Sequence, residues 1–468
     1  MCFPHLYSHF GLYVDIYPAF AHYAGTMRFS DYLTETFWAA VDKALPLIYG
    51  FGYIFVVARV LSKREFGWLA QIEIIYYFVL MLDLAIAQTP MAKFTAETKE
   101  SVWAIPNGFL LSFVVLSGCG IACMAAKELL ANWLNAPGLQ NIILSVPVLL
   151  AAGYFKNLAG QICVARHWTG RLAVIDAVYF LGSLTLLMIW SSSGMLSSAL
   201  QVIWANIYLA AAASLIGLLL TFSVLKQASW RLHREHMKRF LAFSRYSLGA
   251  SFGAYLNGFI DVILISRFLG TVPVGIYRAG KIIYRVYNAF SQAAQIIILP
   301  LASQFAASGQ MTALRALFEK SIYFCYLLLL PLNAFLLLSA DWIITLLYSG
   351  KYPEAVPILR WLLIGAFFLP WGTVGINILL GADKPKLSFR ITWIVVAVNI
   401  LCSFFFIKSF AINGAAMVIG ITSLVGAILT AYHVKSLIHF TWRGIIYRHV
   451  DVLNYAKSIR LKQQHGTD

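Results

Sequence analysis

The sequence predicts an all-α polytopic membrane protein with about twelve transmembrane helices in two six-helix lobes related by a parallel repeat. Three observations support this fold class. First, 60% of the 468 residues are hydrophobic and only 12% are charged, whereas soluble domains are about 45–50% apolar and about 25% charged. Second, apolar runs of about 20 residues recur, each long enough to cross a ~30 Å hydrocarbon core as a helix. Third, the chain contains a long internal repeat.

Each span is placed where an apolar run of helical length lies between polar or charged loops. Strands are excluded from these runs, because an open sheet cannot satisfy its backbone in lipid. The predicted spans are 37–58, 67–91, 102–126, 140–165, 171–191, 198–224, 246–267, 274–300, 320–340, 356–380, 387–407 and 412–434.

The net charge is +16, and the distribution of the Lys and Arg residues along the chain indicates a membrane topology. With the N-terminus inside, cytoplasmic loops and tails hold roughly 22 Lys and Arg and outer loops about 8, a strong positive-inside bias. Both termini and the linker 226–245 are therefore predicted to be cytoplasmic, where their cations also contact anionic membrane lipids. No segment resembles a nucleic-acid reading module, so nucleic acid is excluded as a partner. The chain is divided into an extension (1–33), a first lobe (34–225), the basic linker (226–245), a second lobe (246–434) and a basic tail (435–468).

Residues 1–26 contain no Lys or Arg, which excludes a secretory signal. They are expected to form either an interfacial segment or sequence upstream of a start at Met27. The six cysteines form no C-x-x-C pair and are interpreted as packing residues. Neither they nor the scattered histidines predict a metal site, and no cofactor is expected.

The internal repeat joins "VARVLSKREFGWLAQIEIIYY" near the first hairpin to "LISRFLGTVPVGIYRAGKIIYR" further on. At one constant offset Gly67 matches Gly275, and Tyr76 matches Tyr284; after a two-residue slip Pro90 matches Pro300. A weaker similarity joins the segments around 128–146 and 341–362. Because the repeat unit holds an even number of helices, both lobes have the same orientation, and such repeats enclose a central cleft.

At these residues the chain resembles the polysaccharide flippases of the multidrug/oligosaccharidyl-lipid/polysaccharide exporter superfamily. The resemblance rests on the R-x-L-x-x-x-x-x-G hairpin, the "DVILISRFLG" element beginning at Asp261, and "LLYSGKYPEAVPILR", and it covers 34–434. It implies alternating access in a bacterial cytoplasmic membrane and transport of lipid-linked O-antigen, capsule or exopolysaccharide units. It also implies, as further partners, the polymerase and co-polymerase of the same pathway.

The eighth span carries polar residues at gaps of three and four, which keep them on one narrow stripe of a continuous helix. The stripe is about 26 Å long. It is predicted to line a watery cavity, because cations facing lipid cost roughly 2.5–3.5 kcal/mol each near the membrane centre. Snorkelling of the outermost cations and a packed network within one lobe are the alternatives. The stripe consists of Arg278, Lys281, Arg285, Asn288, Gln292 and Gln295.

A cationic cavity favours an anionic ligand, and the diphosphate of a polyprenyl-linked sugar fits this description. Lys156 and Lys43 are further candidates for the same cavity. Lys43 could instead pair with Asp42 or snorkel inward.

Four acids lie within predicted spans: Glu73, Asp83, Asp176 and Asp261. Glu73, matched to Lys281 in the repeat, could bind a coupling proton or sodium ion, or pair with a cation of the other lobe in one state. For Asp261 a salt bridge with Arg278 or Lys281 is preferred over ion binding.

Several functions are disfavoured by what the sequence lacks. There is no phosphate-binding G-x-x-x-x-G-K-[ST] loop, no D-x-D motif and no loop longer than roughly 20–25 residues. A polymerase or glycosyltransferase is therefore a weak alternative, and the chain is not expected to be an enzyme. Closer alternatives are a lipid-linked peptidoglycan precursor flippase and a multidrug antiporter, although cationic drugs suit a basic stripe poorly. The segment "SLIHFTWRGIIYRHV" is predicted to be an interfacial amphipathic helix.

Overall fold

The computed structural model describes residues 29–96, 101–230 and 234–449, and the regular elements of these ranges are helices. They fall into two compact units. The first lies within Met1–Ala279 together with Leu347–Lys351, and the second within Gly280–Leu346 and Tyr352–Asp468. These units are groups of residues in mutual contact, and the division into two six-helix lobes remains a prediction. The expectations for residues 1–26 lie outside the described residues.

The first unit contains long helices joined by short turns. Ser62 caps α2, its hydroxyl accepting a hydrogen bond from the Glu65 amide (3.1 Å), and Ser198 with Gln201 forms a capping box at α9, which satisfies free amides at these helix starts. The helices of this part of the chain are α1 (Phe29–Val60), α2 (Lys63–Asp83), a π-helix (Leu84–Gln88), α3 (Thr89–Ala96), α4 (Ser101–Ala125), α5 (Lys127–Trp133), α6 (Leu139–Ile143), α7 (Ser145–Ala165), α8 (Thr169–Ser192), α9 (Ala199–Gln227), α10 (Arg234–Leu269) and α11 (Thr271–Lys281).

The remaining helices belong largely to the second unit. Its core is a cluster of buried apolar side chains that includes Phe318, Ile378, Val434 and Phe440. The helices are α12 (Arg285–Ala307), α13 (Met311–Leu338), α14 (Ala340–Tyr348), α15 (Ala355–Ala366), α16 (Leu369–Gly381), α17 (Pro385–Ile438) and α18 (Trp442–Tyr447).

The described residues give nine or ten candidate spans, fewer than the expected twelve. Within the described residues nine helices are long and apolar enough to cross a membrane, and the pair α15–α16, bent by 42°, makes a tenth. At 54 residues, α17 is roughly 80 Å long, more than twice the hydrocarbon core. Its backbone leaves helical geometry at Ala411 (φ 49°, ψ −133°), so α17 holds the last two predicted spans. The predicted eighth span corresponds to α11 and α12.

The eighth span is not the continuous helix that was predicted over 274–300. It is interrupted at 282–284, where the amides of Arg285, Val286 and Tyr287 each bond to the carbonyl three residues earlier (3.0–3.1 Å). This tighter pattern replaces the α-helical pattern for one turn. The single straight stripe is therefore a wrong prediction: Arg278 and Lys281 lie on α11, and the other four residues lie on α12.

Two further boundaries differ from the prediction. Helix α10 begins at Arg234, so much of the basic linker is helical. The interfacial helix is shorter than expected, because α17 continues to Ile438 and a left-handed His439 (φ 49°) ends it before the six-residue α18. Buried Glu319 of α13 holds this end of the chain through Arg448 (2.8 Å).

Candidate functional site

Two helix hairpins related by the internal repeat touch within the first unit. The α1–α2 turn and the α10–α11 turn approach so closely that a side chain at Gly67 would overlap the Thr271 carbonyl, and one at Gly275 would overlap the Lys63 carbonyl. Lys63 and Thr271 are related by the same repeat offset as the two glycines. The contact is thus reciprocal, as across a two-fold axis. We call this contact the hairpin seam.

Polar side chains fasten one side of the hairpin seam. The Gln71 amide donates to Ser266 Oγ (2.7 Å) and accepts from Thr271 Oγ1 (3.1 Å). Ser266 in turn donates to the Leu134 carbonyl (2.6 Å) in the turn after α5. Gln71 and Ser266 are fully buried, so every partner matters for stability.

The other side of the seam is fastened by the end of α14 and the residues that follow it. Arg59 Nε donates to the Leu347 carbonyl (2.8 Å). The Lys351 ammonium donates to the carbonyls of Arg59 and Leu61. Burial, with a smaller contribution from nearby Lys63, lowers the pKa of Lys351 below its usual value. The turns after α5 and α14, similar in sequence, thus contact the ends of α10 and α1 respectively.

A buried ion pair lies one to two turns along the same helices. Arg278 Nη2 of α11 is 2.5 Å from Glu73 Oε1 of α2, and each side chain is 7% exposed. The guanidinium also lies over the rings of Phe66 (4.8 Å) and Tyr53 (5.6 Å). Its Nε and Nη1 have no hydrogen-bond partner among the described residues. Arg278 is therefore held by one carboxylate and two rings, with hydrogen-bonding capacity left over.

Asp261 of α10 is buried and accepts a hydrogen bond from Tyr277 Oη (2.5 Å) and from the Val262 amide (2.8 Å). Tyr277 was not among the residues predicted for the site. The predicted salt bridge of Asp261 with Arg278 or Lys281 remains a prediction.

Lys156 and Asp176, predicted separately, lie together in the first unit. Lys156 Nζ of α7 is 2.8 Å from Asp176 Oδ1 of α8, and it lies over the rings of Tyr179 (4.8 Å) and Phe180 (5.7 Å). Both charged side chains are about one-sixth exposed (15% and 16%). A neutralised pair stabilised by cation–π contact is less able to attract an anion than a free lysine.

Lys43 lies beside Asp42 of the same helix, with Nζ 3.2 Å from Oδ2. The Lys43 side chain is 51% exposed, whereas that of Asp42 is 6% exposed. Asp42 also interacts with Asp176, so the two lysines and two acids form one charged cluster on α1, α7 and α8. The pairing of Lys43 with Asp42 was one of the two alternatives predicted for Lys43, whereas the interaction of Asp42 with Asp176 was not predicted.

The residues expected to bind the substrate lie on either side of the interruption at 282–284. Lys281, Arg285 and Gln295 are each half-buried. Asn288 and Gln292 are on α12, and their side chains lie outside the described part of the structure. The interruption leaves a cation on each side of a break in the helix, at Lys281 and at Arg285.

The fourth predicted acid, Asp83, is completely buried at the end of α2, where the π-helix begins. Gln88 Nε2 donates to its Oδ2 (2.5 Å). Within the described residues no three His, Cys, Asp or Glu side chains are grouped in a way that could hold a metal ion.

Comparison with known sequences gives one family. A family model described as "Polysaccharide biosynthesis protein" matches residues 56–357, which include the hairpin seam and the segment 278–285. A probable low-salt glycan biosynthesis flippase, Agl15 of Haloferax volcanii, is 27% identical over 298 residues, or 64% of this chain. The chain spans 36% and 60% of the lengths of two curated relatives that it matches, the second being Agl15.

Comparison with solved structures gives the fold. The lipid II flippase MurJ in an inward closed conformation matches with a TM-score of 0.69 at 13% identity, covering 92% of this chain and 93% of MurJ. An inward-facing multidrug resistance MATE family transporter of the MOP superfamily matches with a TM-score of 0.66 at 15% identity, covering 85% and 98%. The chain therefore has the polytopic fold of these transporters.

Proposed function

The chain belongs to the polysaccharide biosynthesis protein family, and on that premise we propose that it flips polyprenyl-diphosphate-linked oligosaccharide units across the membrane by alternating access. The family description and the name of the Haloferax volcanii relative support a glycan cargo. The transporter fold supports movement of cargo across the membrane rather than its synthesis.

The observation that supports an anionic cargo is the pair of half-buried cations, Lys281 and Arg285, at the break of the eighth span. Lys281 ends α11 and Arg285 begins α12, within the predicted eighth span, where a cation facing lipid would be costly. A diphosphate offers several negative oxygens, which Arg binds with a planar fork of donors and Lys as a point charge. Such a site favours the diphosphate of the substrate and disfavours a cationic drug.

The hairpin seam supports the alternating-access part of the proposal. Reciprocal contacts between repeat-related hairpins can seal one side of the membrane, the outer side in the predicted topology, and must separate when that side opens. Glu73 and Arg278 then form a state-dependent pair: Arg278 binds Glu73 while the seam is closed and is released when it opens. We infer that the substrate diphosphate competes with Glu73 for Arg278, so that cargo binding weakens the seal.

A deletion strain tests this function. Loss of the gene should trap lipid-linked oligosaccharide units on the cytoplasmic leaflet, where an external glycan-modifying reagent cannot reach them. Complementation with the native gene should restore access, Arg285→Lys should restore part of it, and Arg285→Ala less. Normal external exposure of the units in the deletion strain would contradict the proposal.

A further inference from the structure

Asp83 is a buried acid to which the proposed cycle so far assigns no role. Its side chain is fully buried, and none of the ion pairs of the described residues includes it. Gln88 Nε2 donates to Oδ2 (2.5 Å), while Oδ1 has no hydrogen-bond partner among the residues that the structure describes. Ser112 of α4 lies beside the Asp83 carboxyl, to which its hydroxyl can donate. It is also completely buried, and no group of the described residues is in hydrogen-bonding geometry with its hydroxyl.

The other three acids predicted in the spans differ from Asp83. Glu73 is paired with Arg278 (2.5 Å), Asp176 with Lys156 (2.8 Å), and Asp261 accepts from the Tyr277 hydroxyl. An ionised carboxylate without a counter-charge in a membrane-embedded core is strongly unfavourable. Asp83 must therefore be neutral, or a cation must bind there.

The groups around Asp83 suit a proton better than a metal ion. Its titratable neighbours are Tyr76 of α2, Cys119 of α4 and Tyr154 of α7, all neutral in an apolar core, and α10 faces the adjacent π-helix with a hydroxyl, Ser244. A neutral carboxyl group has one acceptor oxygen, which Gln88 satisfies, and one O–H donor. Tyr76, Cys119 and Tyr154 supply no second carboxylate, and no group of three His, Cys, Asp or Glu side chains that could hold a metal ion is found among the described residues.

We propose that Asp83 is the proton-binding site of the transport cycle, with Ser112 Oγ accepting the hydrogen bond of the carboxyl proton. The inference rests on the proposed function, to which it adds the coupling ion. Release of the proton leaves a buried charge, which is stabilised when a rearrangement brings water or a donor such as the Ser112 hydroxyl to Oδ1.

The π-helix connects Asp83 to the helices that form the hairpin seam, so a rearrangement at Asp83 can reach the two hairpins. Gln88, the last residue of the π-helix, bonds to Asp83, and Ser244 of α10 donates to the Ile86 carbonyl within it (2.7 Å). Turns of this kind inside an α-helix are frequent at functional sites. The same two helices, α2 and α10, carry one side of the hairpin seam, so a change at the π-helix acts on both.

Infrared difference spectroscopy of the purified, substrate-free protein tests the site directly. The native protein should show the carbonyl band of a protonated buried carboxyl group at neutral pH. Asp83→Asn should lose this band and keep the native melting temperature, because an amide is isosteric with the neutral acid. Glu319→Gln, which alters a buried acid paired with Arg315 and Arg448, should retain the band.

Three results would overturn the proton site. They are a band that persists in Asp83→Asn, an Asp83→Asn protein that cannot fold, and a native band that responds to sodium at constant pH. In proteoliposomes, transport by Asp83→Asn should no longer respond to an imposed pH gradient, and a response of native size would also contradict the proposal. If the band behaves as expected and no lipid-linked oligosaccharide is moved, the proton site stands and the proposed function fails.

Discussion

At the scale of single residues, the strongest constraint on this protein is the placement of buried charge. Glu73 and Arg278 are almost completely buried and neutralise each other. An exposed pair, Asp341 with Arg360, has side chains that are 67% and 49% exposed at the same separation of 2.5 Å. The two pairs differ mainly in burial, so a comparison of their variants measures how burial changes the contribution of an ion pair to stability.

We expect removal of one partner of the buried pair to be far more damaging than removal of one partner of the exposed pair. Arg278→Ala removes the arginine counter-charge of buried Glu73, and breaking a buried ion pair costs roughly 3–5 kcal/mol in comparable sites. Asp341→Ala should cost about 0–1 kcal/mol. Thermal melting of the detergent-solubilised protein measures both, and the double variant Glu73→Gln/Arg278→Gln should recover much of the loss. Equal melting of the two single variants would show that the buried pair does not stabilise this state.

Arg285 is expected to bind the diphosphate of the substrate. Loss of a hydrogen bond to a charged group costs roughly 1.5–3 kcal/mol, so Arg285→Ala should lower substrate affinity about ten- to hundredfold. Arg285→Lys should lose less, because it keeps the charge without the planar fork. The control is Arg360→Ala, which removes an exposed arginine. A thiol at position 285 should also react with a small water-soluble reagent and be protected by substrate; an inert thiol with normal transport by the alanine variant would exclude the contact.

At the scale of elements, the hairpin seam depends on the missing side chains of two glycines. Gly67→Ala and Gly275→Ala should each force α2 and α11 apart, because the added methyl group would overlap a backbone carbonyl that cannot move independently. Thr271→Cys, a buried position, should therefore react faster with a thiol reagent in either background. Gly118→Ala of α4 is the matched control, because a methyl group there meets no atom within 4 Å. Unchanged labelling in all three backgrounds would mean that the glycines do not control the seam.

The sequence predicts the helices better than it predicts the contacts between them. Apolar runs and turns locate the spans, because length and hydropathy are local properties. The interruption at 282–284 was missed, since its residues "IIY" are as apolar as the helix on either side. The π-helix was missed for the same reason. The repeat matched Gly67 to Gly275, and this match was the available sequence signal for the hairpin seam. The contact of each glycine with the other hairpin depends on tertiary structure, so the match alone could not predict it.

The sequence predicted which types of residue form the candidate site, but it predicted only some of the ion pairs and hydrogen bonds between them. Arg278, Glu73, Lys156 and Asp176 were all singled out because charges within apolar runs are costly. Which acid meets which cation depends on how the helices pack, so the interaction of Asp42 with Asp176 and the hydrogen bond of Tyr277 to Asp261 were missed.

At the scale of the whole molecule, the excess of Lys and Arg on one side predicts the orientation. A reporter fused after Arg239 should report a cytoplasmic position, because the segment 226–245 carries six cations and positive loops are retained inside. A fusion in the 347–351 segment, on the side opposite to Arg239 in the predicted topology, is the control and should report the other compartment. A periplasmic signal after Arg239 would reverse the orientation and place the hairpin seam on the cytoplasmic side.

The central claim is that this chain flips a lipid whose diphosphate carries an oligosaccharide. The most direct measurement is flipping in proteoliposomes that contain the purified protein and a fluorescent polyprenyl-diphosphate-linked oligosaccharide, followed by quenching of the outer leaflet. The claim predicts that native protein moves this lipid faster than a zwitterionic phospholipid probe, and that Arg285→Ala reduces the rate about ten- to hundredfold at subsaturating substrate. Equal rates for both lipids, or a rate no greater than in protein-free vesicles, would contradict it.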